Sequence, residues 1–433
     1  MKKLSMFQLS LLITFGGLAI AGVLIFSLAV GGGESNSIGA VKIWGTLDPA
    51  AFAVVLRQAA ENNGQLNQVT YEKKDPATFE PDLTNALASG SGPDLFLIRQ
   101  DYALKDAGKT SIIPFSALSK AQFENTFVEA ATPFITQNGI IAVPIFVDPL
   151  ILYWNKDMLA SAGYAQPPRY WDELFQMAQK VTKRDDSGTI TKSAIALGEY
   201  KNVTNAKDIL ATLILQAGGE ITAYDNGGRL TPALAPRAGG SAAQPTASAL
   251  RFFTEFADPS KDDYSWNRSL PESQKAFATG DVALYVGYAS EAPILARMNP
   301  NLNFGLAPVP QIRTAANALV TAHVWGLAAS RGGANSNAAI TAAFLLVSAD
   351  TGGALSSALG IPSARRDILN KKSQGNDEFF NKQAIVAHSW LDPDPAKTAE
   401  VFRAMIENTT SGAMLVAEAV QRADQELAHI LGL

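Results

Sequence analysis

Val41-Lys42-Ile43-Trp44, Val69-Thr70-Tyr71-Glu72 and Asp94-Leu95-Phe96-Leu97-Ile98 are three short β-prone runs separated by two helix-length segments. In the first segment Phe52, Val55, Leu56 and Ala59 fall at helical spacing between Ala50 and Asn62,. The second runs from Thr78 to Ser89 and stops at Gly90-Ser91-Gly92-Pro93,. Strand, helix, strand, helix, strand predicts a parallel α/β sheet with right-handed crossovers. Asp94 to Ile98 is apolar on both faces and therefore expected to be central,. Ligands of such sheets bind beyond the carboxyl ends of the strands, which directs attention to Trp44 through Asp48 and to Arg99 through Asp101, Gln100 included.

Composition narrows the function classes. A chain of 433 residues has length for two domains, and 47% hydrophobic against 17% charged residues describes a packed globular protein,. The net charge of −5 argues against nucleic acid as a partner, because that affinity rests on a basic surface,. The absence of cysteine excludes disulfides, thiolate zinc, iron–sulfur clusters and cysteine nucleophiles,. His323, His388 and His429 are too far apart in sequence for a local metal motif, so neither metal nor cofactor is expected,.

After Lys2 and Lys3 no charge occurs before Glu34. That uncharged run exceeds the ~20 residues of a membrane-spanning helix. Basic residues before it and an acidic one after it orient the following chain to the outside. Residues 1–30 are thus expected to be a transmembrane signal anchor and 31–39 a flexible tether; cleavage near Ser27-Leu28-Ala29 is the alternative,. The soluble part is then extracytoplasmic on a single-pass cell-membrane anchor.

Further along, Ile140 to Val147 and Leu150 to Trp154 read as strands interrupted by Asp148-Pro149, a candidate crossing between two lobes. Val282 to Val286 and Leu319 to Ala328 are further apolar runs, and Lys397 to Ile430 holds closing helices.

Five blocks in order bear a family resemblance. Asn138-Gly139 leads through Ala142-Val143-Pro144 to Tyr153-Trp154-Asn155-Lys156-Asp157 and on to Pro167-Pro168-Arg169-Tyr170-Trp171-Asp172-Glu173-Leu174. Ala88 to Asp94, Ala276 to Leu284 and Gly305 to Pro310 add "GxxPD", "aFxxGkaAM" and "gvaPlP"-like blocks. Together they resemble the extracellular solute-binding proteins of ABC transporters, the maltose-binding group (family 1). Two departures stand out: Tyr170 replaces the usual Thr or Ser before Trp171, and the lipid-attachment cysteine is missing.

The resemblance implies a two-lobed periplasmic-binding-protein (type II) fold with discontinuous lobes around a central ligand cleft. Residues 40–147 plus 325–350 are expected to form lobe one, and 148–324 plus 351–433 lobe two, with crossings near Asp148, Thr321 to Val324 and Ser348 to Gly353. It also implies a monomeric binding protein, not an enzyme, that captures a solute, with carbohydrate as the favoured class, and delivers it to an ABC permease. Aromatic faces and carboxylates or amides suit a sugar, and the residues assigned to the cleft are Trp44, Asp48, Gln100, Asp148, Tyr288, His323 and Trp325. Each also has a packing explanation: Trp44 or Trp325 could turn into the core, and Asp148 could hold the hinge. An envelope sensor, a polyamine binder and, more remotely, a glycoside hydrolase using Asp48 and Asp148 are the alternatives.

Overall fold

The computed structural model describes residues 37–236, 244–315, 317–333 and 335–433. The expected anchor, residues 1–30, lies outside the described residues, as does most of the tether. Among the described residues no single helix is long and apolar enough to cross a membrane.

Eight strands carry the architecture: β1 (Val41–Gly45), β2 (Val69–Lys73), β3 (Leu95–Arg99), β4 (Val143–Asn155), β5 (Ile190–Ile195), β6 (Val282–Tyr288), β7 (Phe304–Ala307) and β8 (Val320–Ala329). Their order is β2-β1-β3-β8-β4-β6-β5, with β7 paired to β4 and two short strands at the margins. β1 pairs in parallel with β2 and β3, as the opening run predicts, whereas β8 is antiparallel to both β3 and β4. The sheet is therefore mixed.

Sequence suggests a break at Asp148-Pro149, but β4 is one continuous strand of 13 residues. Its register explains why proline is tolerated. β8 pairs with β4 up to Pro149, opposite Ala322, and β6 takes over from Leu150, opposite Tyr288. Proline cannot donate to a ladder, and here it stands where the strand changes partner.

The same point divides two hydrophobic cores. Val143 to Val147 pack with Ile43, Phe52, Phe96 and Leu327, whereas Leu150 to Tyr153 pack with Leu210, Phe253, Phe277 and Leu284. β8 changes core in the same way, between Val320 and Ala322. Both strands thus run from one lobe into the other.

The return segment is longer than the expected 325–350. Leu355, Ile361, Ala364 and Leu369 belong to the first core, and Phe146 bridges to Ser363. Assigning residues from 351 onward to lobe two is therefore corrected: the third crossing lies between Phe380 and Trp390, because Ala384 and Ala387 still pack in the first core while Phe380, Val386 and Trp390 contact the second. Helices Pro395–Thr410 and Val416–Ile430 then close lobe two.

Candidate functional site

Strand register assembles the site. His323 on β8 stands opposite Asp148 on β4, Trp325 stands opposite Arg99 on β3, and Tyr288 closes β6 two positions along from Asp148. Residues opposite or two apart share one face of a sheet. Asp148, Tyr288, His323, Trp325 and Arg99 therefore come from four strands to one face, at the level where the chain passes between lobes. A bulge between Trp325 and Gly326 adjusts this arrangement. A Cβ on Gly326 would stand 2.8 Å from Ala142 Cβ, so glycine permits the close approach of β8 there.

The aromatic contacts are specific. The Tyr288 ring stacks on His323 with centroids 4.1 Å apart, and His323 meets Trp325 edge-on at 5.9 Å. The Tyr288 hydroxyl lies 3.0 Å from His323 Nε2. Burial, and then Arg99, hold the His323 imidazole well below its ordinary pKa, so it is neutral at neutral pH,.

Charges surround this stack. Arg99 grips Asp101 through both carboxylate oxygens, the Nε–Oδ1 bond being 2.7 Å. Against the cost of burial, Arg99 draws the Asp101 carboxyl below the usual range. From lobe two, Asp208 is raised by burial, with Lys207 and Arg99 opposing. Lys207 donates to Asp392 at 2.6 Å and to Thr398 at 2.7 Å, and its ammonium lies 5.3 Å from the Trp390 ring centre. Asp392 is pushed up to about 6 by burial in spite of Lys207. Lys105 of lobe one reaches Asp394 of lobe two at 3.3 Å, a direct ionic contact between the lobes.

Asp148 is 2% exposed and accepts from the Ser290 backbone N–H at 2.9 Å. Burial pushes its pKa up to about 7 against these bonds to Ser290. Glu291 fixes the same turn, accepting from the Tyr288 N–H, the Tyr285 hydroxyl and the Gln274 amide. Gly287 leaves room for it: a Cβ there would stand 2.8 Å from Glu291 Oε2.

Three residues assigned to the cleft have other partners. Gln100 spends both ends of its amide on β8, donating to the Ala322 carbonyl and accepting from the Val324 N–H. It braces the crossing. Trp44, two strands from β8, donates its indole N–H to Glu72 and is covered by Lys74 at 3.7 Å. Asp48 is exposed and caps helix Pro49–Asn62 by accepting from the Ala50 N–H. The structure does not bring Trp44 or Asp48 into the cluster.

Arg99, Asp101, Lys207, Asp208 and Asp392 are the residues that sequence reasoning left out. The strand-end rule pointed to Arg99–Asp101, though only Gln100 was assigned from it. Lys207, Asp208 and Asp392 carry no local signature, because they meet Asp101 and Tyr288 only through lobe packing.

Two lobes joined by long shared strands, with a charged and aromatic cluster where they meet, define a binding protein of the cleft type. The model of the bacterial extracellular solute-binding protein family matches residues 46–350, more than half of the chain, and the chain belongs to that family. The cyclic α-maltosyl-1,6-maltose binding protein from Arthrobacter globiformis matches with a TM-score of 0.74 at 17% identity, over 91% of this chain and 99% of that one. The sugar-binding protein MalE from Xanthomonas citri matches with a TM-score of 0.71 at 19% identity, over 91% and 98%. Among curated proteins, a probable ABC transporter-binding protein of Deinococcus radiodurans is 44% identical over 59 residues, only 14% of its length. A maltotriose-binding protein of Pyrococcus abyssi is 27% identical over 149 residues, 30% of its length.

Proposed function

We propose that this protein captures a carbohydrate in the cleft between its lobes and hands it to an ABC permease. The observation that carries the reading is the stacked Tyr288–His323 pair beside Trp325, ringed by Arg99–Asp101, Asp148 and Asp208. Aromatic faces cover the apolar side of a sugar ring, and ionised side chains bond its hydroxyls with charge-assisted strength. Relatives described as binding maltotriose, maltodextrins and a cyclic maltosaccharide support this class. Membership in a solute-binding family sets aside the hydrolase alternative.

In this reading the Lys105–Asp394 contact between the lobes and the field of Lys207 at Asp101 favour the closed cleft, so that ligand capture and lobe closure reinforce each other,. The protein works as a monomer outside the cytoplasm, held to the membrane by the apolar segment of residues 1–30,. A polyamine is the second reading, supported by the buried carboxyls Asp148 and Asp392 and by half-buried Asp208 beside Tyr288,.

The test is a thermal-shift and calorimetric screen of the purified chain against maltose, maltotriose and spermidine. A saccharide at 100 times its Kd stabilises a binding protein by about 2.7 kcal/mol, and the ligand should be recovered unaltered. Stabilisation by spermidine alone would sink the carbohydrate reading.

A further inference from the structure

Helix Ala206–Gln216 starts against local preference. Its N-cap, Asn205, stands at φ 63° and ψ 23°, the one non-glycine residue with positive φ among the described residues. A capping asparagine ordinarily has extended backbone and accepts from the first turn of its helix, but the Asn205 side chain makes no such bond. Backbone strain of this kind persists only where the surrounding structure holds it, and it gathers at functional sites. What holds Asn205 is Glu291, whose Oε1 accepts from Asn205 Nδ2 at 3.1 Å across 86 residues of chain.

Glu291 ends the short turn that follows β6 and is 8% exposed. Its Oε1 also accepts from the Tyr288 N–H at 2.9 Å, and its Oε2 accepts from Gln274 Nε2 at 2.7 Å and from the Tyr285 hydroxyl. Four donors thus meet two oxygens, the full acceptor capacity of a carboxylate. The bond to the Tyr288 N–H would close the turn by itself. Those to Asn205 and Gln274 reach other elements, and the one to Asn205 reaches the site. Directly after Asn205 and Ala206 come Lys207 and Asp208. Lys207 donates to Asp392 and Thr398, while Asp208 bonds the Tyr288 hydroxyl and feels Arg99. A closed ring of contacts results. It runs from Glu291 to Asn205, along the first turn of the helix to Asp208, across to the Tyr288 hydroxyl, and back through the Tyr288 N–H to Glu291.

We propose that Glu291 is a positioning residue for the cleft: it ties the end of β6 to the start of helix Ala206–Gln216, so that Tyr288, Lys207 and Asp208 keep one arrangement. The inference rests on the carbohydrate reading and deepens it. Glu291 acts through Tyr288 and Asn205, and it fixes the share of the site that lobe two contributes before a solute arrives. A site whose side chains are held by such supporting bonds loses less freedom on binding and binds more tightly. The same tie sustains the left-handed backbone of Asn205, which the helix start does not stabilise by itself,.

The experiment uses the full chain at neutral pH and has two readouts. One is maltotriose affinity by calorimetry. The other is the proton–nitrogen correlation signal of the His323 ring, assigned with His323→Gln, which reports on the Tyr288 hydroxyl 3.0 Å from Nε2. Asn205→Gly takes the left-handed backbone freely and loses only the tie. It should melt like the parent, bind maltotriose about tenfold more weakly and shift the His323 signal. Glu291→Met should do the same and also melt lower, because four donors lose their acceptor. Glu291→Gln should restore both readouts: its one oxygen serves Asn205 and the Tyr288 N–H, while Gln274 turns its own carbonyl to the new amide. Parent-like affinity with an unmoved His323 signal in Asn205→Gly overturns the inference and leaves the carbohydrate reading intact. So does weaker binding in Glu291→Met that follows lost stability alone, with the signal unmoved. If the parent binds neither maltose nor maltotriose, the carbohydrate reading falls and the His323 signal decides the tie: a shift in Asn205→Gly upholds it, and no shift overturns it.

Discussion

Tyr288 and His323 stack at 4.1 Å with their rings 20° from parallel, one ending β6 in lobe two and the other lying on β8 as it enters lobe one. A pair so placed feels both protonation and closure. Burial keeps His323 well below its ordinary pKa, so the unfolded chain takes up this proton first as pH falls,. The stability contributed by neutral His323 is present above the unfolded value of about 6.5 and is lost progressively below it. Melting curves should show His323→Gln losing less stability than the parent on acidification through that range. Equal losses would mean that the imidazole is protonated in the folded state.

Asp148 has the opposite sign. Its folded pKa of about 7 exceeds the unfolded value, so the native state binds the extra proton,. Its stabilising contribution is fully present below the unfolded carboxylate value of about 3.9 and is lost as pH rises through about 7,. Asp148→Asn removes this penalty while keeping an acceptor for the Ser290 N–H. The variant should gain melting temperature relative to the parent at alkaline pH and gain least under acid conditions. A uniform offset at all pH values would contradict the burial argument.

Lys207→Met leaves the buried Asp392 carboxyl without its cation. Breaking a buried pair by removing one partner costs about 3–5 kcal/mol, since the Asp392 side chain is 1% exposed. Urea unfolding at neutral pH should show a loss of that order. Adding Asp392→Asn should restore part of it, because the orphaned charge goes with it.

Trp325 and Trp44 should separate binding from stability. Trp325→Ala removes the aromatic wall beside His323, and loss of such an anchor weakens ligand affinity by about 2 kcal/mol or more. Trp44→Ala, on packed β1 beneath Lys74 and bonded to Glu72, should cost about 3–5 kcal/mol of folding stability, the scale of a buried Trp truncation,. Its saccharide affinity should stay within a few-fold of the parent. Calorimetry and chemical denaturation on the same two variants check both halves.

Gln100→Leu tests the brace at the crossing. It strands the Val324 N–H and the Ala322 carbonyl inside lobe one. Leaving buried backbone groups unpaired costs about 1–3 kcal/mol. Amide exchange at Val324 should accelerate in the variant; unchanged protection would mean that β8 is held by its strand partners alone.

Local patterning in the chain determined the elements nearest to it. Apolar spacing defined helix Pro49–Asn62, and apolar runs flanked by turns defined β1, β2 and β3,. Their alternation then implied parallel pairing, because a crossover of that length has one stable hand. Motif blocks spread from Ala88 to Pro310 carried the family. Asp148, Tyr288, His323 and Trp325 could be picked out from the sequence because each sits at a strand end or a crossing, and strand register brings the four onto one face.

Sequence could not tell Trp44 from Trp325, since both follow β-prone runs. Their fates were set by strand pairing and packing: Glu72 and Lys74 claimed Trp44, whereas pairing with β3 set Trp325 opposite Arg99 and beside His323. Pro149 read as a break for the same reason. Only register shows that its missing N–H falls where β4 exchanges β8 for β6. The third crossing, Phe380 to Trp390, and the meeting of Lys207, Asp208 and Asp392 with Arg99 and Asp101 depend on how two separate cores pack against shared strands. Periodicity is a property of neighbours in the chain. Charge compensation and burial are properties of neighbours in space, so the tertiary structure alone decided them.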